Sequence, residues 1–282
     1  MSDSPLGKID RALFDSSIRQ RLGHRDPAVL IGPQHGVDAA IIDIGEEVLA
    51  VTTDPFFVVP DYGWERAGWF AVHILASDVV TSGLPPRFLS VDLNLPPSMS
   101  NEDLDAMWTA VHEACETLKV SIVTGHTGRY EGCAFPMVGG ATMIAQGPHD
   151  AYVSTTMAKP GDIVIVTKGA AIEATALMAV TFPDLVEQRV GAAHAKAAQG
   201  LFWKMSVVDD ALAAVSVGVR DQGVTAMHDA TEGGVLGGLC EIAEASGVGM
   251  SIDEAAIPVP DEVAAVCDAF DMGPLASISE GT

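Results

Sequence analysis

The sequence predicts a mixed α+β fold made of two halves that meet near residue 150. Short apolar runs rich in β-branched residues alternate with longer stretches whose apolar residues recur at helical spacing. Turn-forming residues cluster at 146–150, and a second turn signal follows at 159–162. Apolar residues make up 48% of the 282 residues, enough for a core in each half. We therefore expect an N-terminal domain over 1–150 and a C-terminal domain over 151–282.

The first half begins with a hairpin pattern and continues with alternating helices and strands. Gly45 suits the turn between two β-branched runs. Gly83 and two prolines end the first helical pattern, and Ser100 with Asp103 marks the start of the second. The predicted elements are strands over 39–44 and 48–53, a helix over 65–82, a strand over 88–95, a helix after Ser100, a strand over 120–124 and an apolar run over 134–145.

The second half shows the same alternation with shorter strand signals. Apolar runs bounded by turn residues predict the strands, and Gly247 suits a helix C-cap. The predicted strands cover 163–167, 224–227 and 250–252, and the predicted helices cover 171–181, 202–217, 232–246 and 261–270.

Acidic residues dominate the charged side chains. The chain has 15 Lys and Arg against 38 Asp and Glu, a formal net charge of −23. Binding to nucleic acids or anionic membranes needs a basic surface, so we expect neither partner. A carboxylate-rich, lysine-poor surface is typical of halophilic proteins, because salt screens the repulsion among carboxylates. An ordinary acidic cytosolic enzyme fits the composition equally well.

The sequence carries no signal for export, membrane insertion or sulfur-based metal binding. No basic segment followed by an apolar run occurs at the start, and no apolar helical stretch is long enough to span a bilayer. The four cysteines lie far apart and form no C-x-x-C pair. We therefore expect a cytoplasmic protein with free, buried thiols.

Three aspartates of the first half stand at positions that suit a metal site. Asp38 lies in a Gly-Val-Asp-Ala-Ala stretch, Asp54 ends a strand-like run, and Asp78 lies in a helix that is apolar on nearly every side. A buried ionised carboxylate needs a cation or several hydrogen-bond donors. Taken singly, Asp38 and Asp54 suit turn capping and Asp78 suits an arginine partner. Taken as a set, they predict a Mg²⁺ site.

A polar turn adds a fourth candidate position to this set. Gly125, His126 and Thr127 lie in the sequence Thr-Gly-His-Thr-Gly, directly after a strand-like run. Mg²⁺ prefers one or two carboxylates together with phosphate oxygens and water. Oxygen ligands that converge from several elements therefore favour this ion.

A glycine-rich stretch of the second half predicts an anion site. Residues 228–238 read His-Asp-Ala-Thr-Glu-Gly-Gly-Val-Leu-Gly-Gly and lead into a helix. Asp229 or Thr231 suits the N-cap, and Gly233 and Gly234 would expose backbone N–H groups at the helix start. Alternatively, these glycines only let the helix pack closely. No Walker, dinucleotide or kinase motif occurs. The residues alone predict a Mg²⁺ and phosphate site built from both halves, with a nucleotide as its natural ligand.

These segments, in this order, resemble the superfamily of aminoimidazole ribonucleotide (AIR) synthase, thiamine-monophosphate kinase, selenophosphate synthetase and the hydrogenase maturation factor HypE. The resemblance covers nearly the whole chain. Within the superfamily, the sequence is most similar to the HypE branch and its archaeal relatives. The matching motifs lie at 37–40, 53–54, 77–78, 125–127 and 229–234.

The resemblance implies a two-domain, PurM-like architecture in which the N-terminal domain pairs with its copy as a homodimer with a barrel-like interface. It implies that ATP lies between the domains, that an oxygen of a small-molecule acceptor attacks a phosphate of ATP, and that positioning and charge neutralisation supply the catalysis. The implied roles are metal ligation by Asp38, Asp54 and Asp78, catalysis by Asp54, Asp78 and His126, and nucleotide contacts from Asp38, Thr53, Gly125, Thr127, Asp229, Thr231, Gly233 and Gly234.

The chain departs from the family pattern at three places. His126 stands where the family has an acid, and Ser77 where it has an asparagine; a neutral imidazole suits a phosphate or a softer metal. HypE ends in a catalytic cysteine, whereas the last cysteine here is Cys267, so we do not carry over carbamoyl dehydration and expect a shortened C-terminal domain. The alternatives are AIR synthase itself, in purine biosynthesis, and a nucleotide-binding dimeric scaffold without turnover.

Overall fold

One mixed β-sheet organises the first half. In the computed structural model, which describes residues 8–282, this sheet has six strands in the order β1-β2-β3-β6-β4-β5. Strands β4 and β5 are parallel, and all other neighbours are antiparallel. The two edges, β1 and β5, do not pair with each other, so the described sheet is not a closed barrel. The strands are β1 (Val29–Ile31), β2 (Ala40–Asp43), β3 (Glu47–Phe57), β4 (Pro86–Leu95), β5 (Ser121–Arg129) and β6 (Met137–Pro148).

The predicted hairpin between β2 and β3 is confirmed. Gly45 has a φ of +99° at the turn, and its N–H donates to Asp43 Oδ1 at 2.7 Å. Strand β3 is longer than predicted because it pairs along most of its length with β6. The first seven residues, part of the segment from which we predicted no export signal, lie outside the described residues.

Two predicted helices are confirmed and cover one face of this sheet. Helix α2 (Trp64–Val80) packs on β3 and β6, and α3 (Asn101–Leu118) makes the crossover that the parallel strands β4 and β5 require. Ser100 caps α3, since its Oγ accepts the Asp103 N–H at 3.0 Å. A Cβ at Gly68 would lie 2.7 Å from Met107 O, so glycine lets the two helices approach closely. Before the sheet, a short turn α1 (Arg11–Leu13) continues as a π-type turn (Phe14–Ile18).

Helices form most of the regular structure of the second half. The helices predicted over 171–181, 232–246 and 261–270 are confirmed. The helix predicted over 202–217 is wrong in its first part, which is a 3₁₀ turn (Leu201–Lys204), and helix α5 was not predicted. The helices are α4 (Ile172–Thr181), α5 (Pro183–Gly200), α6 (Val208–Val215), α7 (Gly234–Ser246) and α8 (Asp261–Phe270).

The three strands predicted in the second half are wrong. Within residues 8–282, none of these segments joins a sheet, and only an isolated bridge links Val219 and Val224. Ile163 and Ile165 are 88% and 82% exposed. Their β-branched residues fit an extended backbone, but a strand also needs a hydrogen-bonded neighbour.

Helix α2 also connects the two halves. Val207, Val208 and Ala211 of the second half are buried in the same core as α2. The Val207 N–H donates to Ser77 Oγ at 3.1 Å. Across the described part of the chain, no helix has the length and hydropathy to cross a bilayer.

Candidate functional site

Three predicted aspartates lie in one region near the end of α2. Asp78 lies in the last turn of α2, and Thr52 from β3 donates its hydroxyl to Asp78 Oδ2 at 2.9 Å. Asp54 follows Thr52 on the same face of the strand and lies beside Asp78. Asp38 lies just before β2, where its carboxylate contacts His228 of the second half. The structure therefore places the three predicted ligands in one region, and Asp38 alone among them belongs to the group of ligand atoms that lie within 4.8 Å of one another in residues 8–282.

The second half adds two deeply buried carboxylates, Asp229 and Glu280, which are 1% and 2% exposed. Backbone hydrogen bonds fix the segment that carries Glu280: the Ser279 N–H donates to Ala230 O at 3.0 Å, and the Glu280 N–H donates to Glu173 Oε2 at 3.1 Å. The term carboxylate cluster is used below for Asp38, Asp54, Asp78, Asp229 and Glu280.

His228 links the two halves at the carboxylate cluster. Its Nδ1 lies 2.9 Å from Asp38 Oδ2 and 3.5 Å from Asp229 Oδ1, and its Nε2 lies 2.7 Å from Glu241 Oε2. Burial lowers the pKa of His228, but Asp38 and Asp229 more than offset burial and raise this pKa well above its usual value. The imidazolium is thus a buried cation that compensates part of the negative charge.

Burial raises the pKa of most carboxyls in this region. The pKa of Asp38 rises to about 6 and that of Glu173 to about 7. Burial, followed by repulsion from Asp229, raises the pKa values of Asp78 and Glu280 well above their usual range. Asp229 differs, because its contacts with His228 outweigh burial and lower its pKa. The folded protein therefore disfavours full ionisation of these groups.

Three buried oxygens of the carboxylate cluster have no hydrogen-bond partner among residues 8–282. They are Asp229 Oδ2 and both Oε atoms of Glu280. A buried polar atom without a partner is costly, and a cation is a suitable partner for a carboxylate oxygen. Asp38 and Asp229 each offer a carboxylate oxygen within 4.8 Å of the other. His228 lies between them, but as an imidazolium whose nitrogens face Asp38 and Glu241 it has no lone pair for a metal. An oxygen-rich donor set of this kind fits a hard divalent cation such as Mg²⁺.

The two halves of the chain match the two domain models of a single family. Residues 36–158 match the N-terminal domain of AIR synthase related proteins, and residues 159–282 match the C-terminal domain. The chain belongs to the AIR synthase-related family. The family membership predicted from the five motifs is confirmed.

The relatives include hydrogenase maturation proteins. A protein named for hydrogenase expression/formation in Methanocaldococcus jannaschii is 28% identical over 284 residues, which cover 98% of this chain and 78% of the relative. The carbamoyl dehydratase HypE of Rhizobium leguminosarum bv. viciae is 29% identical over 256 residues, which cover 87% of this chain and 67% of the relative.

Solved structures of the HypE type confirm the predicted fold class. A chain of the HypE–HypF complex superimposes with a TM-score of 0.72 at 24% identity, covering 96% of this chain and 82% of that chain. HypE in complex with ATP superimposes with a TM-score of 0.66 at 22% identity, covering 99% of this chain and 78% of that chain. The mixed α+β fold is therefore that of the family.

His126 of the family motif lies on a different face of the sheet from the carboxylate cluster. Thr53 and Asp54 are neighbours on β3 and point to opposite faces. Thr53 faces away from α2 and α3, where its Oγ1 is 2.9 Å from Thr142 Oγ1. There, Thr53, Asp92, His126 and Thr142 help to line an open cavity of about 350 Å³. The term outer face is used below for this side of the sheet.

The outer-face position separates His126 from Asp54 and Asp78 within one chain. His126 Nε2 lies 2.6 Å from Tyr130 Oη. Gly125 permits close strand pairing, since a Cβ there would lie 2.4 Å from Val91 O. Thr127 pairs with Leu93 and, by alternation, points away from the His126 side. The three residues predicted to be catalytic, Asp54, Asp78 and His126, therefore do not meet at one point within a single chain. Their catalytic roles stay predictions.

The glycine-rich stretch starts α7 without a side-chain cap. Gly233 is the N-cap residue, so the predicted capping of α7 by Asp229 or Thr231 is wrong. Asp229 points into the carboxylate cluster instead. A Cβ at Gly234 would lie 2.4 Å from Ser277 O, which supports the close-packing interpretation at this position. Anion binding at the helix start stays a prediction.

Sequence reasoning missed four residues around the carboxylate cluster. They are His228, Glu173, Glu280 and Lys8, whose Nζ lies 2.7 Å from Glu232 Oε2. His228 had a sequence signal, because it directly precedes Asp229 in the glycine-rich motif. Glu280 had no sequence signal of comparable strength. It lies about fifty residues from Asp229 in sequence, and only the folding of the chain brings the two side by side.

Proposed function

We propose that this protein is an ATP- and Mg²⁺-dependent enzyme that activates an oxygen of a small-molecule acceptor by phosphoryl transfer. The convergence of Asp38, Asp54 and Asp78 with Asp229 and Glu280 is the observation that carries the proposal. The three unpartnered buried oxygens of this cluster support a bound cation. The likeness to HypE in complex with ATP supports the choice of nucleotide.

The charge of the site determines the order of binding in this proposal. A cluster of carboxylates repels a polyphosphate, so ATP would need a divalent cation, held by the cluster, in order to bind. When bound, Mg²⁺ would supply charge neutralisation and polarise the phosphate oxygens. Asp38, Asp54 and Asp78 would hold the ion, and Asp229 lies beside them. The hydrogen bond from Thr52 orients Asp78, and His228 orients Asp38.

We also propose that the protein acts as a homodimer. Strand β5 is an edge strand, and most of its residues are exposed on both faces. Val123 is 55% exposed there, and Met137 at the start of β6 is 51% exposed. A second copy that covers β5 and the outer face would bury this apolar surface and bring His126 into a closed environment. Light scattering on Val123→Asp should show a shift from dimer to monomer.

Calorimetric titration of ATP with and without Mg²⁺ tests the proposed metal site. We expect binding only with Mg²⁺, and a loss of more than about tenfold in affinity for the double variant Asp54→Asn and Asp78→Asn. Asp105→Asn with Glu113→Gln is the matched control, because it also removes two carboxylates, both on the exposed side of α3. Unchanged Mg²⁺-dependent binding in the double variant would exclude the carboxylate cluster as the metal site.

Release of ADP in the presence of candidate acceptors tests the proposed enzymatic activity. Small amides and carboxamides are the first acceptors to examine, since their oxygen is a suitable nucleophile toward a phosphate. Turnover that requires Mg²⁺ and an acceptor supports phosphoryl transfer. Tight Mg²⁺-dependent ATP binding with no turnover for any acceptor would favour the scaffold alternative instead.

A further inference from the structure

A short stretch near the start of the chain carries charge opposite in sign to the protein as a whole. Residues 8–25 contain five of the 15 basic residues and only two acidic residues, within a chain of net charge −23. The five basic residues are Lys8, Arg11, Arg19, Arg21 and Arg25.

The same stretch exposes large apolar side chains. Leu13 and Ile18 are 48% and 44% exposed, and Leu22 is 47% exposed. Leu13 precedes the π-type turn and Ile18 is its last residue, and the Arg19 N–H donates to Phe14 O at 3.0 Å. Because a π-type turn repeats about every five residues, Leu13 and Ile18 project to about the same side. The adjacent strand β1 exposes Val29 at 42%. Such a group of apolar side chains marks an interaction surface.

Ion pairs hold the beginning of this stretch against the second half of the chain, whereas two arginines near its end form no ion pair within the described residues. Lys8 Nζ lies 2.7 Å from Glu232 Oε2, and Arg11 pairs with Glu244 of α7. Arg21 donates to Ser17 O at 2.9 Å. Neither Arg21 nor Arg25 forms a salt bridge with any residue in the described range 8–282. Their charges therefore flank the exposed leucines without a carboxylate partner.

The sheet order separates this surface from the proposed dimer interface. Strand β1 is one edge of the sheet, and β5 is the opposite edge. A dimer formed through β5 and the cavity of the outer face, which β3, β4, β5 and β6 line, does not involve residues 8–25. The inference is therefore independent of the proposed function and of the proposed dimer.

Charge identifies the kind of partner that fits. A symmetric contact with a second copy would bring two basic stretches together, which is unfavourable. An anionic membrane is an extended surface that would also face the carboxylates around this stretch and be repelled by them, whereas a short acidic segment contacts the basic stretch alone. An acidic protein segment with its own apolar side chains complements both the arginines and the leucines.

We propose that residues 8–25 form a docking surface for an acidic, amphipathic segment of a partner protein. Leu13, Ile18 and Leu22 provide the apolar contact. Arg21 and Arg25 pair with carboxylates of the partner, and the exposed edge of β1 borders the contact.

A labelled synthetic helix of Glu and Leu, with all Leu on one face, tests this proposal by fluorescence anisotropy at physiological salt. We expect a dissociation constant on the order of 10 μM. The double variants Leu13→Gln with Leu22→Gln, and Arg21→Glu with Arg25→Glu, should each weaken binding at least about tenfold. A peptide with Lys in place of Glu should bind no better to the native protein than to these variants.

Ile163→Gln with Ile165→Gln is the matched control, because these side chains are also exposed but lie outside the basic stretch. Circular dichroism checks that each variant folds, and the arginine variant changes only exposed side chains. Equal peptide binding by the native protein and both docking variants would overturn the proposal. It would also be overturned if the docking variants abolished self-association or flotation with phosphatidylserine vesicles while peptide binding stayed the same.

Discussion

The two halves of this protein use similar strand signals with different outcomes. In the first half, apolar β-branched runs pair into a six-stranded sheet, and Val48, Phe56 and Met143 are completely buried between it and the helices. In the second half, the runs at 163–167, 224–227 and 250–252 stay outside any sheet of the described residues. Helices α4 to α8 form the cores there instead. Burial and pairing, rather than β propensity, separate the two halves.

The carboxylate cluster belongs to both halves. The sheet and α2 position Asp54 and Asp78, whereas loops of the second half position Asp229 and Glu280. Regular structure thus fixes one side of the site, and hydrogen-bonded loops fix the other. This arrangement lets the second half carry functional groups without a sheet of its own.

A core substitution in the first half should have the largest effect on stability. Phe56→Ala removes a fully buried ring from β3, so we expect a loss of about 3–5 kcal/mol in the free energy of unfolding. Urea denaturation at constant pH measures it, with an unchanged m value as the sign that only stability has changed. A loss below about 1 kcal/mol would mean that the sheet core is not the main source of stability.

The metal-free protein should lose stability as pH rises toward neutrality. Asp38 and Glu173 have pKa values of about 6 and about 7, above their usual 3.8 and 4.5. The folded state therefore binds their protons more tightly, and this stabilisation is complete below the usual values and lost as pH rises through 6 and 7. His228, whose pKa is also raised, acts in the same direction above its usual 6.5. We expect the melting temperature to fall by about 5 °C between pH 4.5 and pH 7.5.

Mg²⁺ should raise the melting temperature more at pH 7.5 than at pH 4.5. The reason is that protons and the cation compete for the same carboxylate oxygens. Scanning calorimetry with and without MgCl₂ at both pH values measures the difference. Glu173→Gln is the control, since it removes one titrating group and should flatten the pH dependence. An equal effect of Mg²⁺ at both pH values would argue against cation binding at these carboxyls.

Salt should affect the exposed carboxylates and the buried ones differently, and the melting temperature should show the difference. If the acidic surface reflects a saline environment, raising KCl from about 0.1 M to about 1 M should raise the melting temperature by a few degrees, through screening of exposed charges in both halves. The pH dependence of the buried cluster should change little, because buried groups are screened less. A melting temperature that does not respond to salt would contradict the halophilic interpretation.

The smallest effect should come from the unpaired apolar segment of the second half. Ile165→Ser replaces a side chain that is 82% exposed, so the free energy of unfolding should change by less than about 0.5 kcal/mol. Hydrogen exchange offers an independent check, because amides of 163–167 should exchange faster than those of β3. Equal protection in the two segments would show that the second half does form a paired strand there.

The sequence by itself determined most elements of the first half and three helices of the second. Local signals were sufficient: Gly45 for the hairpin, Ser100 for the start of α3 and Gly247 for the end of α7. The apolar surroundings of Asp78 also predicted an unusual carboxylate, whose pKa burial does raise. Capping and periodicity involve residues within a few positions of one another, so sequence alone reveals them.

Only the tertiary structure decided which strands pair and which site residues meet. It placed Thr53 and Asp54 on opposite faces, put His126 on the outer face, and brought Glu280 beside Asp229. It also left the second-half strand signals without partners. The physical reason is that a hydrogen-bonded ladder and a buried carboxylate both depend on groups supplied from far along the chain, which no local pattern specifies.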